Sequence, residues 1–262
     1  MGSIAAYARR VRRVDLDGID FDAFCSQPLD EGALRCLRYM YQIESHTVCY
    51  LRDLLVTRAH RDPELTTFLT CWAFEEQWHG EALGAVLRAH GESVGPATVA
   101  LTRRRLGWAD GLRPLGFVAA SALFGEDLSA VHMTWGALNE WTTQAGYARL
   151  AAVTGHPVLA ELLSRIMRQE GTHIDVYASE ARRRLAGSAR ARRLTRFALA
   201  RFWAPVGSGV MPDSEVAHLV RYLFDGPGAQ EVVERIDRRV GSLPGLAGLA
   251  PVRRAVERYR AA

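Results

Sequence analysis

The sequence contains no lysine; all 33 of its Lys-plus-Arg positions are arginine. Uniform arginine removes the usual meaning of an Arg-for-Lys choice, because base composition alone produces it. Cysteine is scarce: Cys25, Cys36, Cys49 and Cys71 form no C-x-x-C pair and match no zinc or iron–sulfur spacing. There is no apolar run long enough to cross a membrane. The N-terminal stretch "MGSIAAYARRVRR" lacks the apolar middle of a secretory signal and the Ser or Thr at position 6 that myristoylation prefers. A reduced, cytoplasmic protein without a membrane role is expected. Alternating β-branched runs are few, which argues against a sheet. No helix-turn-helix, zinc-finger or RNA-binding signature accompanies the net charge of +4, so no nucleic-acid role is expected.

What remains is helical periodicity, and it predicts an all-α chain. An N-terminal arm, residues 1–30, precedes a helix over 31 to 60. "HRDPEL" stops it, with Asp62 placed to cap the next helix and Pro63 suited to its first turn. A second helix runs to about residue 90. A mixed crossover follows over 95–126, broken near Pro114. Helices over 127 to 153 and 157 to 185 flank the turn "TGHP". Residues 187–262 read as shorter helices packed on the bundle formed by 31–186. The G-x-G triplets at Gly207 and Gly226 follow no convincing strand and are read as turns.

On the apolar stripe of the second helix, "FEEQWHG" places Glu76 and His79 where further apolar residues would be expected. The fourth helix repeats the E-x-x-H spacing in "RQEGTHI", with Glu170 and His173. At three residues apart, each pair shares one helix face. The first and third helices each carry one glutamate on their apolar stripes: Glu44, beside Leu37, Tyr41 and Val48, and Glu140, beside Met133, Ala137 and Tyr147. If Glu44 and Glu76 face each other across a hairpin, the turn falls near residue 60, at "HRDP"; for Glu140 and Glu170 it falls near 155, at "TGHP". Two hairpins of one design follow, joined by a long crossover.

Glu, Glu-x-x-His, Glu, Glu-x-x-His is the donor set that builds two-metal sites inside four-helix bundles. Four buried carboxylates repel unless protonated or neutralised, and two divalent ions supply the matching charge. Mixed carboxylate and imidazole ligation suits iron, or a mixed manganese–iron pair. A metal-free Glu–His hydrogen-bond network is the alternative. His46, two residues after Glu44, is placed off the ligand face, in a surface or supporting role. Gly136 and Gly146 interrupt the third helix; Gly136, one turn before Glu140, leaves room either for a substrate or for close packing.

Over residues 31 to 186 the chain resembles the ferritin-like di-iron carboxylate superfamily. "AFEEQWHGEAL" is similar to the second-helix motif of the soluble acyl-carrier-protein desaturases and related bacterial di-iron oxygenases. The resemblance implies a ferritin-like four-helix bundle with two iron ions held by Glu44, Glu76, His79, Glu140, Glu170 and His173. It also implies dioxygen as co-substrate, with Thr143 beside the bound oxygen. Glu75 and Gln169, each preceding a ligand glutamate, would orient the opposite histidines, and Gln169 departs from the acidic residue of the desaturases. Ile166 stands where arylamine N-oxygenases carry an extra histidine, which disfavours their site without excluding an amine substrate.

The activity implied is an oxygen-dependent desaturase or oxygenase acting on an acyl thioester or small organic substrate. Alternatives are an amine N-oxygenase, a ferroxidase or iron-storage protein, and a scaffold with vestigial ligands. An external electron donor such as a ferredoxin, an acyl carrier protein and a homodimer are the partners expected. The basic run from 181 to 201 offers Arg182, Arg183, Arg184, Arg192 and Arg193 for docking an acidic partner, a solvated helix face being the plainer reading.

Overall fold

A computed structural model describes residues 4–261. Twelve α-helices and one 3-10 turn make up the described residues, with no β-strand among them. Two short helices, α1 (Ile4–Ala8) and α2 (Ala23–Ser26), lie in the arm. Four long helices follow in pairs: α3 (Glu31–Leu55) with α4 (Pro63–Ala89), and α7 (Asp127–Thr154) with α8 (Pro157–Gly187). The crossover between the pairs holds α5 (Pro96–Arg105) and α6 (Gly107–Phe124). The remainder forms α9 (Ala189–Phe202), α10 (Asp213–Phe224), α11 (Ala229–Gly241) and α12 (Pro251–Ala261).

Local chemistry sets the ends of the long helices. The Asp30 carboxylate accepts from the Ala33 N–H and opens α3. Asp62 accepts from Glu64 and Leu65 N–H, and Pro63 occupies the first turn of α4. Gly155, at φ 61°, ends α7 in the left-handed region, and His156 Nδ1 caps α8 by accepting from Leu159 N–H.

Two boundaries differ from the sequence expectation. The first helix stops at Leu55 rather than 60, because Thr57 turns extended and its hydroxyl accepts from Ala59 N–H, starting a separate 3-10 turn (Arg58–Arg61). The crossover is not broken near Pro114; α6 runs straight through it. A proline leaves the carbonyl four residues earlier without its helical partner. Here that carbonyl belongs to Asp110, and the Arg52 guanidinium reaches it at 3.4 Å. The break falls instead at Gly107, at φ 65°.

The pairs α3–α4 and α7–α8 each pack along their length, and α4 meets α8 while α3 meets α7. One apolar core runs through all four, with Leu37, Leu69, Leu83, Leu138 and Leu163 fully buried. Val48, expected on the α3 stripe, is exposed. From the C-terminal helices, α9 lies along α7 and α8, and α10 packs on α3 and α7. Among the described residues no helix is long and apolar enough to cross a membrane.

Gly136 is required by packing. A Cβ there would stand 2.3 Å from the Tyr177 ring, which supports the close-packing reading, while Gly136 also lines the cavity described below. At Gly146 an added methyl meets Met40 at 3.6 Å, an ordinary contact. Gly136→Ala should therefore lower stability by about 1–3 kcal/mol. Gly146→Ala should raise it by up to about 1 kcal/mol through helix propensity alone. Denaturant unfolding of the two variants measures both.

Candidate metal centre

The four long helices bring their polar residues to one place in the core. Glu44 from α3, Glu76 and His79 from α4, Glu140 from α7, and Glu170 and His173 from α8 are all buried. Ligand-type atoms of Glu76, Glu140, Glu170 and His173 lie within 4.8 Å of one another, as do those of Glu44, Glu76 and His79. Glu76 belongs to both sets. The middle of the centre is shared: His79 Nδ1 stands 3.4 Å from Glu76 and 3.3 Å from Glu170, and His173 Nδ1 stands 3.0 Å from Glu76 and 3.1 Å from Glu170. Glu44 and Glu140 occupy the two flanks. The hairpin symmetry expected from sequence is thus present in space.

Several of these close approaches are misaligned for hydrogen bonding. Glu76 Oε1, Glu170 Oε1 and His79 Nδ1 have no hydrogen-bond partner despite full burial. Buried polar atoms are ordinarily satisfied, and an unpaired one is costly. Orphaned carboxylate oxygens and an orphaned imidazole nitrogen converging on one space are the donor arrangement a cation completes. The residues fit two ions, with Glu44 and His79 on one side, Glu140 and His173 on the other, and Glu76 and Glu170 between. The oxygen-rich, imidazole-containing, sulfur-free set suits iron or manganese.

Protons take the place of that charge when no cation is bound. Burial, then the neighbouring carboxylates, push Glu44 and Glu140 well above the usual carboxylate range. Burial also works against Glu76 and Glu170 as anions. The Glu44 hydrogen bond and the histidines outweigh it for Glu76, and the histidines do so for Glu170, so both lie below that range. Burial opposes charge on His79, but Glu170 and Glu76 carry its pKa to about 10. Burial opposes charge on His173 too, but hydrogen bonds with Glu170 and Glu75 and the charge of nearby Glu76 raise it. Two neutral acids, two carboxylates and two imidazoliums leave the six residues uncharged, which is how the core tolerates them.

Both histidines turn Nδ1 inward, and their Nε2 atoms are fixed from outside. His173 Nε2–H donates to Glu75 at 2.8 Å, and His79 Nε2–H donates to Gln169 Oε1 at 3.0 Å. Each brace is the residue just before the glutamate on the facing helix, as the resemblance implies for Glu75 and Gln169. The N-terminal arm then fixes the braces. Tyr7 O–H donates to Glu75 at 2.8 Å; Arg12 N–H donates to Glu75 Oε1 at 3.2 Å, and its carbonyl accepts from Gln169 Nε2 at 3.0 Å. On the opposite side Tyr147 O–H donates to Glu44, and Trp72 Nε1–H donates to Glu140 at 2.9 Å.

Sequence reasoning missed these last contacts. Tyr147 and Trp72 sit at helical spacing from Glu140 and Glu76 and were legible only as core aromatics. Arg12 acts through its backbone, which leaves no sequence signal. His46, expected in a surface or supporting role and not as a ligand, belongs to neither donor set. It is buried rather than at the surface, neither ring nitrogen has a partner, and burial, then Arg103, lowers its pKa to about 4.

On the flank of Glu44 and Glu140 the centre opens into a cavity of about 580 Å³, within the range of small-molecule sites. Thr143 lines it, alongside Trp72, Trp135 and Tyr177. The arginine run divides. Arg184 pairs with Asp62 and Glu180, and Arg192 donates to the Leu185 and Ala186 carbonyls, so both serve the fold. Arg183, paired with Glu180, is exposed, as are Arg182 and Arg193.

Comparison of the chain with protein-family models, with curated proteins and with solved structures gives no match.

Two predictions follow from the proton inventory and the braces. Glu44 and Glu140, raised from 4.5, and His79 and His173, raised from 6.5, bind protons more tightly folded than unfolded. Their stabilisation is complete below the unfolded values and fades as pH rises; that of Glu76 and Glu170, lowered from 4.5, is lost as pH falls below it. Between about 4.5 and 6.5 the loss from Glu44 and Glu140 is offset by His46 and His132, whose folded pKa of about 4 favours higher pH, so the metal-free protein should lose stability as pH rises above about 6.5 in denaturant titrations. Loading two dications should release about four protons at neutral pH, so affinity should climb with pH in calorimetry across buffers of different ionisation enthalpy. Separately, Glu75→Ala should weaken metal affinity by about 10–100-fold with the fold retained by circular dichroism.

Proposed function

We propose that the protein is an oxygen-activating di-iron oxidoreductase of the ferritin-like type, desaturating or oxygenating an acyl chain or comparable small organic substrate. The observation that carries this reading is the adjacency of a buried six-residue Glu/His centre and a small-molecule-sized cavity that shares Glu44, Glu76 and Glu140 with it. A ferroxidase or storage role uses the same ligands and gives no reason for such a cavity.

When bound, the iron pair supplies redox chemistry with dioxygen that no side chain here can perform. The chain's own contributions are distinct. The apolar walls exclude water and set a substrate's C–H bond beside the centre. The Glu75 and Gln169 braces hold the imidazoles in one orientation. Thr143, at the junction of cavity and centre, offers a hydroxyl for proton handling at the reacting face. In a desaturation the balance is closed by two hydrogens leaving the substrate, two electrons and two protons arriving from outside, and dioxygen departing as two waters. The electrons need an external donor such as a ferredoxin, and within the arginine run the exposed Arg182 and Arg193, with Arg183 already paired to Glu180, are placed to meet an acidic one.

Protein loaded anaerobically with ferrous iron should hold two ions per chain and consume oxygen faster when an apolar acyl substrate is present. Glu170→Ala and His173→Ala should lose the second ion and at least about 10²-fold of that uptake. Metal analysis and an oxygen electrode measure these, and a folded wild-type chain that takes up no iron would refute the reading.

A further inference from the structure

The cavity has a second polar region that the metal ligands do not use. Asp53 of α3, Arg113 of α6 and His132 of α7 all line it. Asp53 lies nine residues after Glu44 and His132 eight residues before Glu140. At the helical rise their backbones lie about 14 Å and about 12 Å along the bundle from those of Glu44 and Glu140. One chain of contacts joins them. Arg113 Nε stands 3.0 Å from Asp53 Oδ2, the guanidinium lies over the Tyr50 and Phe117 rings, and the Phe117 ring meets the His132 ring at 5.8 Å.

Two observations mark this region as made for a ligand. His132 is 8% exposed, yet neither ring nitrogen has a hydrogen-bond partner. Burial lowers its pKa to about 4, so near neutrality the ring is uncharged, with one N–H to donate and one nitrogen to accept. Arg113 is the second. Its Nε stands 3.0 Å from Asp53 Oδ2 as an ion pair, but none of its nitrogens makes a hydrogen bond among the described residues. The ion pair and the two aromatic rings hold the guanidinium, and its fork of donors is left available. Arg52 holds Asp53 Oδ1 at 2.9 Å and Asp110 at 3.1 Å. The four charges therefore cancel, and attraction comes from the near fork rather than from a bulk field.

The walls of the cavity include the apolar Ile43, Leu54, Leu128, Val131 and Trp135. The side chain of Arg113 is 41% exposed, so its end of the cavity meets solvent. We infer that the cavity binds a free carboxylate amphiphile, its head held by Arg113 and His132 at the solvent end and its apolar part reaching inward to the metal ligands. An Arg fork matches the two oxygens of a carboxylate, which a thioester does not offer. This names the substrate class for the oxidoreductase reading and rests on that reading for its chemistry, while the binding itself does not depend on it.

The test is calorimetric titration of the full chain, metal-free and iron-loaded, with decanoate, methyl decanoate and decylamine. Decanoate should bind at least about tenfold tighter than the ester or the amine, in both metal states. Arg113→Gln should remove about 10–100-fold of decanoate affinity and leave the ester within about twofold. Arg113→Lys should fall between, and His132→Phe should lose about 3–10-fold. Metal content should be unchanged in all three, which separates a recognition defect from a folding defect. Three outcomes would overturn the inference: equal binding of acid and ester, preference for the amine, or decanoate affinity that vanishes on iron removal and ignores Arg113. Preserved decanoate discrimination in a protein that never consumes oxygen would sink the oxidoreductase reading and leave this one standing.

Discussion

The structure turns on the burial of four carboxyl groups and two imidazoles where four helices meet. Dispersed in an apolar core they would each carry a large desolvation penalty. Placed together they neutralise one another by shared protons, and the same donor set fits dications in their place. The helix order and the hairpin turns both serve that arrangement. Replacing one member leaves its neighbours with uncompensated charge, so the six residues act as a unit.

The surroundings of the centre are unequal on its two sides. Behind the histidines lie Glu75, Gln169, Tyr7 and the Arg12 backbone, a continuous hydrogen-bonded wall. In front of Glu44 and Glu140 lies the cavity, with only Tyr147 and Trp72 donating to the carboxylates. A hydrogen-bonded back and an open front fix the orientation of the histidines while the carboxyl groups of Glu44 and Glu140 stay accessible from the cavity.

Much of this was legible because helical spacing is periodic and the ligand types are out of place on an apolar stripe. Glu76 with His79, and Glu170 with His173, announce themselves by interrupting that stripe, and the turns at "HRDP" and "TGHP" place their partners. The caps at Asp62 and Pro63 were legible for the same local reasons. What the sequence hid was non-local. Pro114 sits within α6 because Arg52, distant in sequence, serves the carbonyl it strands. Gly136 is explained by Tyr177 on another helix, and His46 is buried by packing that its own helix does not encode. The braces depend on Arg12, whose side chain takes no part in them.

The arm's grip on α8 has a kinetic side. Arg12 to Gln169, and Arg165 to the Asp15 and Asp17 carbonyls, join residues 157, 150 and 148 positions apart. Contacts of such separation close late, after the loop entropy between them has been overcome by the rest of the fold. The back wall accordingly rests on contacts that need the rest of the fold to bring the arm against α8 before they can form.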